Sequence, residues 1–324
     1  MRNRLPWPIA RPCRCEAEAD RLSLPARIYG DAEFLAAERE RVFRPSWQVV
    51  CHLSDIPVPG RYHTLDFLGR NDFVVRGADL EPRAFYNVCR HRAARLLDGA
   101  TGQCGSRIVC PYHAWTYGLD GRLIGLPERQ EFSHMDQSRH GLVPLEVEGL
   151  SRLRVRRMEG DGPRVAEMMA PYDAELAPYR LEELVPLGRV TLRERAVTGR
   201  MSGTIIPMRC ISGWPIGADA AVRQGLRRGV ACWVDKMWGG LLDEPSANLS
   251  ERLYQKYLPD VEYLPPERKR LWSYYKLWPN IAFDVYPDQI DFMQSIPMSP
   301  TRTVIRRSRM FCRTSGGRCV RCGI

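Results

Sequence analysis

Histidine is scarce in this sequence and confined to its first half. Only six of the 324 residues are histidine, and none follows His140. A metal site or a general base that relies on imidazole is therefore excluded from the remainder of the chain. Lysine is scarcer still, because only four of the 48 basic residues are lysine and the others are arginine, spread along the whole chain. A nucleic-acid surface concentrates its basic residues, so we expect no nucleic-acid partner and attribute the arginine to GC-rich coding.

Long apolar runs are also missing. No segment approaches the roughly 18 apolar residues that a membrane span needs. The N-terminus, MRNRLPWPIARPCRCEAEAD, lacks the apolar core of a signal peptide. We therefore expect no membrane partner and a cytoplasmic location. The 11 cysteines are odd in number and unevenly spaced, which indicates reduced thiols with metal or catalytic roles for a few of them.

The pattern of apolar runs and turn residues divides the chain into three parts. Residues 1–44 form an irregular leader and a short N-terminal helix. Residues 45–147 contain short apolar runs separated by Gly, Pro and Asp, which predicts a compact all-β domain. Residues 148–324 combine predicted helical stretches at 160–186 and 249–275 with further strands. The clearest of these strands are the last three, IAFDVYP, QIDFMQSIP and RTVIRR, which predict an antiparallel meander.

Two short motifs in the predicted β domain carry metal-binding side chains. Cys89 and His91 form a C-x-H motif, and Cys110 and His113 form a C-x2-H motif, each directly after a predicted strand. Two neighbouring loops can therefore clamp one metal centre. Two thiolates and two imidazoles suit a tetrahedral zinc ion. They also suit a Rieske [2Fe–2S] cluster, in which both cysteines bind one iron and both histidines bind the other.

The sequence around these ligands favours the cluster. The segments NVCRHRAARLL and CPYHAWTYGLDGRLIG resemble the two cluster-binding loops of Rieske non-haem iron oxygenases. In particular they resemble the large (alpha) subunits of the aromatic-ring-hydroxylating type, a branch that includes enzymes acting on quaternary ammonium compounds. The resemblance extends with gaps from about Pro25 to Arg307 and is strongest over 85–127; Trp115 fits it, whereas Ala114 stands where glycine is common. It identifies four cluster ligands: Cys89, His91, Cys110 and His113.

The resemblance implies an α+β protein of two parts. An all-β Rieske domain would be joined to a helix-grip domain, an antiparallel sheet packed with helices, which is truncated or disrupted in this chain. Subunits of this kind form homotrimers and take electrons from an NAD(P)H-dependent reductase or a ferredoxin. With O₂ they hydroxylate, dihydroxylate or demethylate a small organic substrate. The function implied is therefore that of a terminal oxygenase alpha subunit.

The second metal site of that family is missing from the sequence. In the family, a mononuclear Fe(II) bound by two histidines and a carboxylate activates oxygen. Those histidines lie in an Asn-Tyr-x-x-Asp-x-x-His-x4-His pattern in the C-terminal domain, where this chain has no histidine. His134 and His140 precede that domain, and we expect both at the surface. The chain also ends without the late helix that carries the carboxylate. We therefore expect the cluster alone and name no catalytic residue.

Local reading-frame errors would explain these departures. A frame displaced by two bases over 201–217 permits a string with the family's complete histidine pattern, and one displaced by one base over 149–156 permits an apolar strand. As written, we expect RLRVRR to bury several charges without partners, at a cost of several kcal/mol. The Arg- and Cys-rich tail, 308–324, is a third candidate, because its cysteines lack a fourth ligand for zinc. They are Cys312, Cys319 and Cys322.

Two other functions stay open at this point. A Rieske electron carrier, or an inactive subunit without oxygenase activity, is favoured by the missing histidines. A basic zinc protein that binds nucleic acid would show salt-dependent retention on DNA. The segment DVYPDQIDFMQSIPMSPTRTVIR resembles the oxygenase domain and favours an oxygenase lineage. We interpret four aromatic residues as core rather than as a cage for a trimethylammonium group: Trp272, Tyr274, Tyr275 and Trp278.

Overall fold

The structure is a computed structural model of the chain. It describes residues 26–188, 190–196, 227–231, 233–241, 243–247, 249–258 and 260–312. No helix in these ranges is long and apolar enough to cross a membrane. The segment 201–217, which we interpret as displaced in frame, lies outside the described residues, as do Cys319 and Cys322.

Ten strands fold the first half of the chain. They are β1 (Gln48–His52), β2 (Arg61–Phe67), β3 (Arg70–Arg76), β4 (Pro82–Tyr86), β5 (Thr101–Gln103), β6 (Arg107–Val109), β7 (Thr116–Gly118), β8 (Leu123–Gly125), β9 (Pro144–Leu150) and β10 (Leu153–Arg157). Seven form an antiparallel sheet in the order β1-β10-β9-β4-β3-β2-β5, and β6, β7 and β8 form a second, smaller sheet. The all-β prediction for this part is confirmed. The larger sheet continues past residue 147, because β10 pairs with both β1 and β9.

Side-chain alternation explains why β3 forms where it does. Phe73 and Val75 pack into the core that surrounds Cys89, whereas Val74 packs into a separate core on the other face. Both faces are buried, so the strand is a continuous apolar run. The predicted turn at Gly121 joins β7 to β8, with a backbone φ of 85°. A Cβ atom there would come within 2.4 Å of the Phe85 ring, so the turn requires glycine.

Eight strands build a second antiparallel sheet. They are β11 (Leu184–Pro186), β12 (Thr191–Arg195), β13 (Arg227–Ala231), β14 (Val234–Gly240), β15 (Leu271–Leu277), β16 (Ile281–Val285), β17 (Ile290–Ser299) and β18 (Arg302–Cys312). Seven follow the order β11-β18-β17-β16-β15-β14-β13, and β12 also pairs with β18. The predicted meander of the last three strands is confirmed in β16, β17 and β18.

Helices are few and short among the described residues. The N-terminal helix α1 (Ala32–Glu38) begins at Asp31, whose carboxylate accepts from the Phe34 amide at 3.0 Å. The stretch predicted as helical at 160–186 contains only α2 (Val165–Met169) and α3 (Asp173–Leu176), because Pro171 and Pro178 begin intervening 3₁₀ turns. The other stretch contains α4 (Leu249–Tyr257). Its predicted extension to 275 is wrong, because β15 begins at Leu271.

Polar and apolar contacts join the two large sheets. Trp47, Val49 and Leu153 from the first sheet share one core cluster with Phe283 and Phe292 from the second. At the same junction, three fully or almost fully buried amides form a hydrogen-bond network centred on Gln48. Its side-chain oxygen accepts from Asn280 at 2.9 Å and from Gln294 at 2.8 Å.

Strand β10 buries arginine side chains together with partners. Arg156 is paired with Asp72, with 2.6 Å between Nη2 and Oδ2. Arg157 forms an ion pair with Glu146 and lies over the Trp47 ring, 4.6 Å from its centroid. The prediction that RLRVRR buries several charges without partners is therefore wrong for Arg156 and Arg157, the two buried arginines of this segment, whereas Arg152 and Arg154 are only partly buried. Between these charges, Leu153 and Val155 project into the shared core as ordinary strand residues.

Candidate metal centre

Two loops of matching construction carry the predicted ligands. One follows β4 and contains Cys89; the other joins β6 to β7 and contains Cys110. In each loop the cysteine amide donates to the carbonyl five residues later, at 2.8 and 2.9 Å. The amide four residues later donates back to the cysteine carbonyl, at 3.1 and 3.0 Å. This repeated turn fixes each cysteine relative to the histidine that follows it.

The turns require an unusual backbone conformation. Ala93 has a φ of 56° and Ala114 a φ of 54°, both in the left-handed region that favours glycine. An alanine adopts this conformation at a cost of about 1 kcal/mol. This explains why glycine is common at the second position in the resembled family. Alanine instead of glycine at position 114 thus costs some free energy but leaves the loop geometry intact.

Both thiols are buried beneath the loops. Cys89 is 2% exposed and Cys110 is 3% exposed. Burial raises the pKa of the Cys89 thiol, a hydrogen bond from Tyr117 lowers it, and the neighbouring Cys110 thiol raises it again. The Tyr117 hydroxyl lies 3.3 Å from Cys89 Sγ and accepts from the Arg90 amide at 3.0 Å, so its own hydrogen can point to the sulfur. Tyr117 was not singled out by the sequence analysis, and the one signal that points to it is its place just after the C-x2-H motif.

The two imidazoles lie beside each other, closer to the surface than the thiols. The ring centroids of His91 and His113 are 4.8 Å apart. His113 Nδ1 is buried and has no hydrogen-bond partner among the described residues. His91 stacks on Trp115, with 4.8 Å between ring centroids and 6° between the planes. Burial lowers the pKa of His91, and the proximity of His113 lowers it further.

This arrangement fits a binuclear cluster. A Rieske cluster takes two thiolates on one iron and two imidazoles on the other, which matches a buried sulfur pair and a separate nitrogen pair. The unpartnered Nδ1 of His113 is a donor atom of the required kind. A single zinc ion would instead require these side chains to converge on one point.

The other predicted residues lie around this centre or away from it. Cys104, between the two motifs, has its thiol 3.2 Å from the Gly60 carbonyl oxygen. Cys51 is fully buried in β1, and burial raises its pKa to about 12. His134 is exposed, as predicted. His140 is half-buried and lies 6.3 Å from the Trp115 ring, centroid to centroid, so it is nearer to the centre than a surface residue would be.

Comparisons with known proteins agree with this geometry. The family model described as the Rieske [2Fe-2S] domain matches residues 46–144, which contain both loops. The model described as the ring hydroxylating alpha subunit (catalytic domain) matches residues 218–315. In both matched parts the chain is similar to the alpha subunits of Rieske oxygenases. The domain combination implies a Rieske cluster and, in the family, a mononuclear iron.

Among curated relatives of this chain, the glycine betaine monooxygenase oxygenase subunit of Chromohalobacter salexigens is 35% identical over 176 residues. That match covers 54% of this chain and 39% of the relative. The carnitine monooxygenase oxygenase subunit of Escherichia coli (strain K12) is 33% identical over 184 residues, which is 56% of this chain and 49% of the relative. The chain thus matches half or less of the length of these relatives.

Solved structures show the same fold as this chain. A quaternary ammonium Rieske monooxygenase, described in relation to carnitine oxidation, superposes with a TM-score of 0.72 at 23% identity, over 89% of this chain and 76% of that one. Naphthalene 1,2-dioxygenase from Rhodococcus sp. superposes with a TM-score of 0.70 at 19% identity, over 89% and 72%. Sequence identities this low support a shared fold and no further conclusion.

Proposed function

We propose that this chain is the cluster-bearing, electron-transferring part of a Rieske oxygenase alpha subunit. Cys89 and Cys110 would hold one iron and His91 and His113 the other. A [2Fe–2S] cluster bound there would supply one-electron transfer at a potential raised by its imidazole ligands. The observation that supports this proposal is the separation of a buried thiol pair from an outer imidazole pair with one unpartnered Nδ1.

The protein surface around the imidazoles suits an electron-transfer contact. Tyr112, next to the His113 ligand, is 59% exposed, and Val88 and Val109 are exposed beside the two loops. Arg90 and Arg92 are exposed in the first loop. An exposed apolar patch flanked by charge is typical of a site that contacts another protein. The partner we propose is an NAD(P)H-dependent reductase or a ferredoxin that supplies electrons to the cluster, and the chain would associate as a homotrimer.

The residues present do not fit the family's mononuclear iron. The sequence has no histidine after His140, so the C-terminal domain cannot provide two imidazoles of its own. We therefore propose no oxygen-activating step for this chain as written. An oxygenase of this lineage with an intact iron site would act on a small quaternary ammonium compound rather than on an aromatic ring, because the curated relatives named above are betaine and carnitine monooxygenase subunits.

The aromatic residues of the second sheet do not strengthen the assignment of substrate. Trp272 contacts Tyr286 edge to face at 5.0 Å between ring centroids, and Tyr274 contacts the same ring at 6.4 Å. Tyr275 points to the opposite face, where it stacks on Phe283 at 5.0 Å. The rings pack on each other as a core does.

A second candidate function, an electron-transfer or inactive subunit without oxygenase activity, is favoured by the absence of histidine from this domain.

Metal analysis of the anaerobically purified chain tests the proposal. We expect about two iron atoms and two acid-labile sulfides per chain, with the visible and EPR spectra of a Rieske cluster. Cys110→Ser should abolish both, whereas Cys104→Ser, the matched control, should leave both unchanged. A third iron without sulfide would contradict the cluster-only proposal. Folded protein with neither iron nor sulfide would contradict the cluster itself.

A further inference from the structure

An apolar cavity of about 350 Å³ lies outside the cluster loops. It occupies the space where the β9–β10 hairpin and the helices α2 and α3 face strands β16, β17 and β18. None of its lining residues belongs to either ligand loop. The walls are formed mainly by aliphatic and aromatic side chains, among them Leu150, Leu153, Val165, Met169, Leu176 and Phe283.

This cavity is larger than an ordinary packing defect. Protein interiors contain few voids larger than a water molecule, and apolar walls give water too few hydrogen-bond partners. Small-molecule sites begin at about 300 Å³ and are mostly apolar, with a few polar groups that orient the ligand. The volume and lining therefore suit a small apolar molecule.

One cationic side chain on the wall defines the polar end of that molecule. Arg152 lines the cavity and is half-buried. Its Nη1 donates to the Glu182 carbonyl oxygen at 3.2 Å, which holds the guanidinium at the wall. Arg152 is the one basic residue among the described residues that line the cavity. Asp173 and Glu182 also line the cavity, but both residues are exposed and water can solvate their carboxylates.

We propose that this cavity binds an amphipathic carboxylic acid. Its hydrocarbon part would lie against Leu153, Val165, Met169 and Leu176, and its carboxylate would pair with the Arg152 guanidinium. Because the walls come from both large sheets, the bound acid would contact both halves of the chain and stabilise their junction. This site is separate from the cluster and does not depend on its chemistry.

Calorimetric titration of the cluster-loaded chain with decanoate, below its micellar concentration, tests the proposal. We expect saturable binding of one decanoate per chain and a higher midpoint of thermal unfolding, because a ligand that binds only the folded state stabilises it. Arg152→Gln should weaken binding about tenfold or more. Leu176→Trp should fill the cavity and abolish binding. Two matched controls should leave binding unchanged: Leu192→Trp and Arg122→Gln, both at exposed positions.

Three outcomes would overturn the proposal. Folded chain that takes up no decanoate has no such site. Unchanged decanoate affinity in Leu176→Trp would place the binding elsewhere. Equal or tighter binding of decyltrimethylammonium would contradict a carboxylate head group and indicate that the rim carboxylates select the ligand. The visible spectrum of the cluster reports whether each variant is folded, and Met169→Trp replaces Leu176→Trp if the latter loses that spectrum.

Discussion

Arg156 and Asp72 form an ion pair in which both side chains are completely buried. Arg156 Nη2 lies 2.6 Å from Asp72 Oδ2, although strands β10 and β3 are not neighbours in the sheet. The guanidinium also lies 5.4 Å from the centroid of the Phe67 ring. Burial raises the pKa of Asp72, and the charge of Arg156 opposes that rise.

Breaking this pair on one side should be strongly destabilising. We expect Arg156→Met to lower the free energy of unfolding by about 3–5 kcal/mol, because it leaves the Asp72 carboxylate buried without a counter-charge. The double variant Arg156→Met with Asp72→Leu should lose less than the sum of the two single variants, since no unpaired charge remains. Urea unfolding of the four proteins measures both effects. Additive losses in this cycle would contradict a direct pairing.

An exposed ion pair provides the comparison. Arg122 Nε lies 2.7 Å from Asp120 Oδ2, and the Arg122 side chain is 81% exposed. Arg122→Met should change the free energy of unfolding by less than about 1 kcal/mol, because solvent screens exposed pairs. A large loss of unfolding free energy in Arg122→Met would show that burial does not explain the stabilising effect of the ion pair between Arg156 and Asp72.

Strand β10 contains contacts that the sequence could not predict. Its letters RLRVRR show alternating charged and apolar residues, and we expected charges without partners. Leu153 and Val155 lie on the core side in the structure, but local sequence contains no information about a counter-charge on a distant strand. Asp72 stands in a separate apolar run, and only the sheet topology brings it to Arg156. The contacts between the two large sheets could not be predicted from the sequence for the same reason.

The amide network at that junction should resist substitution. Gln48 is fully buried and its side-chain oxygen accepts from Asn280 and Gln294. Gln48→Leu removes this acceptor, and we expect a loss of roughly 1–3 kcal/mol in the free energy of unfolding, because a buried donor is left unpaired. Gln130→Leu, at an exposed position, is the matched control and should have little effect. Equal stability of the Gln48 variant and the wild type would rule out an energetic role for the network.

The ligands of the cluster site were within reach of sequence analysis because each pair occurs in a short motif. Tyr117 was not, because its contact with Cys89 depends on how β7 is placed beneath the first loop. The prediction of a helix up to residue 275 failed for a different reason. The aromatic residues of LWSYYKL occupy both faces of a buried strand, so neither a helical nor an alternating pattern is clear.

Removing the Tyr117 hydroxyl should lower the reduction potential of the cluster. A hydrogen bond to a thiolate ligand stabilises the reduced, more negative state more than the oxidised state, and such bonds tune iron–sulfur potentials. We expect Tyr117→Phe to shift the potential downwards by roughly 40 mV for each kcal/mol of lost differential stabilisation. Spectroscopic redox titration measures it. The control is Tyr62→Phe, which removes a hydroxyl that donates to the Asp98 carbonyl at 2.9 Å in the same domain. An unchanged potential in Tyr117→Phe would contradict a hydrogen bond to the sulfur.

His52 should make the stability of the chain fall on mild acidification. Its Nδ1 accepts from the Ser54 amide at 3.1 Å, so the folded state needs this nitrogen unprotonated. Burial lowers the pKa of His52, and the charge of Arg152 lowers it further. The folded-state pKa therefore lies below the ordinary value of about 6.5. Above that value the imidazole is neutral in both states and its contribution is complete. As the pH falls through about 6.5, the unfolded chain binds a proton first, and stability is lost until the folded-state pKa is reached.

His52→Asn keeps a side-chain acceptor without a titrating ring, so it should lose less stability than the wild type when the pH falls from about 7.5 to about 5.5. One proton contributes at most about 1.4 kcal/mol per pH unit to this difference. Urea unfolding at the two pH values measures it. His134→Asn, at an exposed position, should follow the wild type. Burial also lowers the pKa of His63, so a part of the acid sensitivity should persist in both variants. Identical pH dependence in the wild type and His52→Asn would remove His52 as its source.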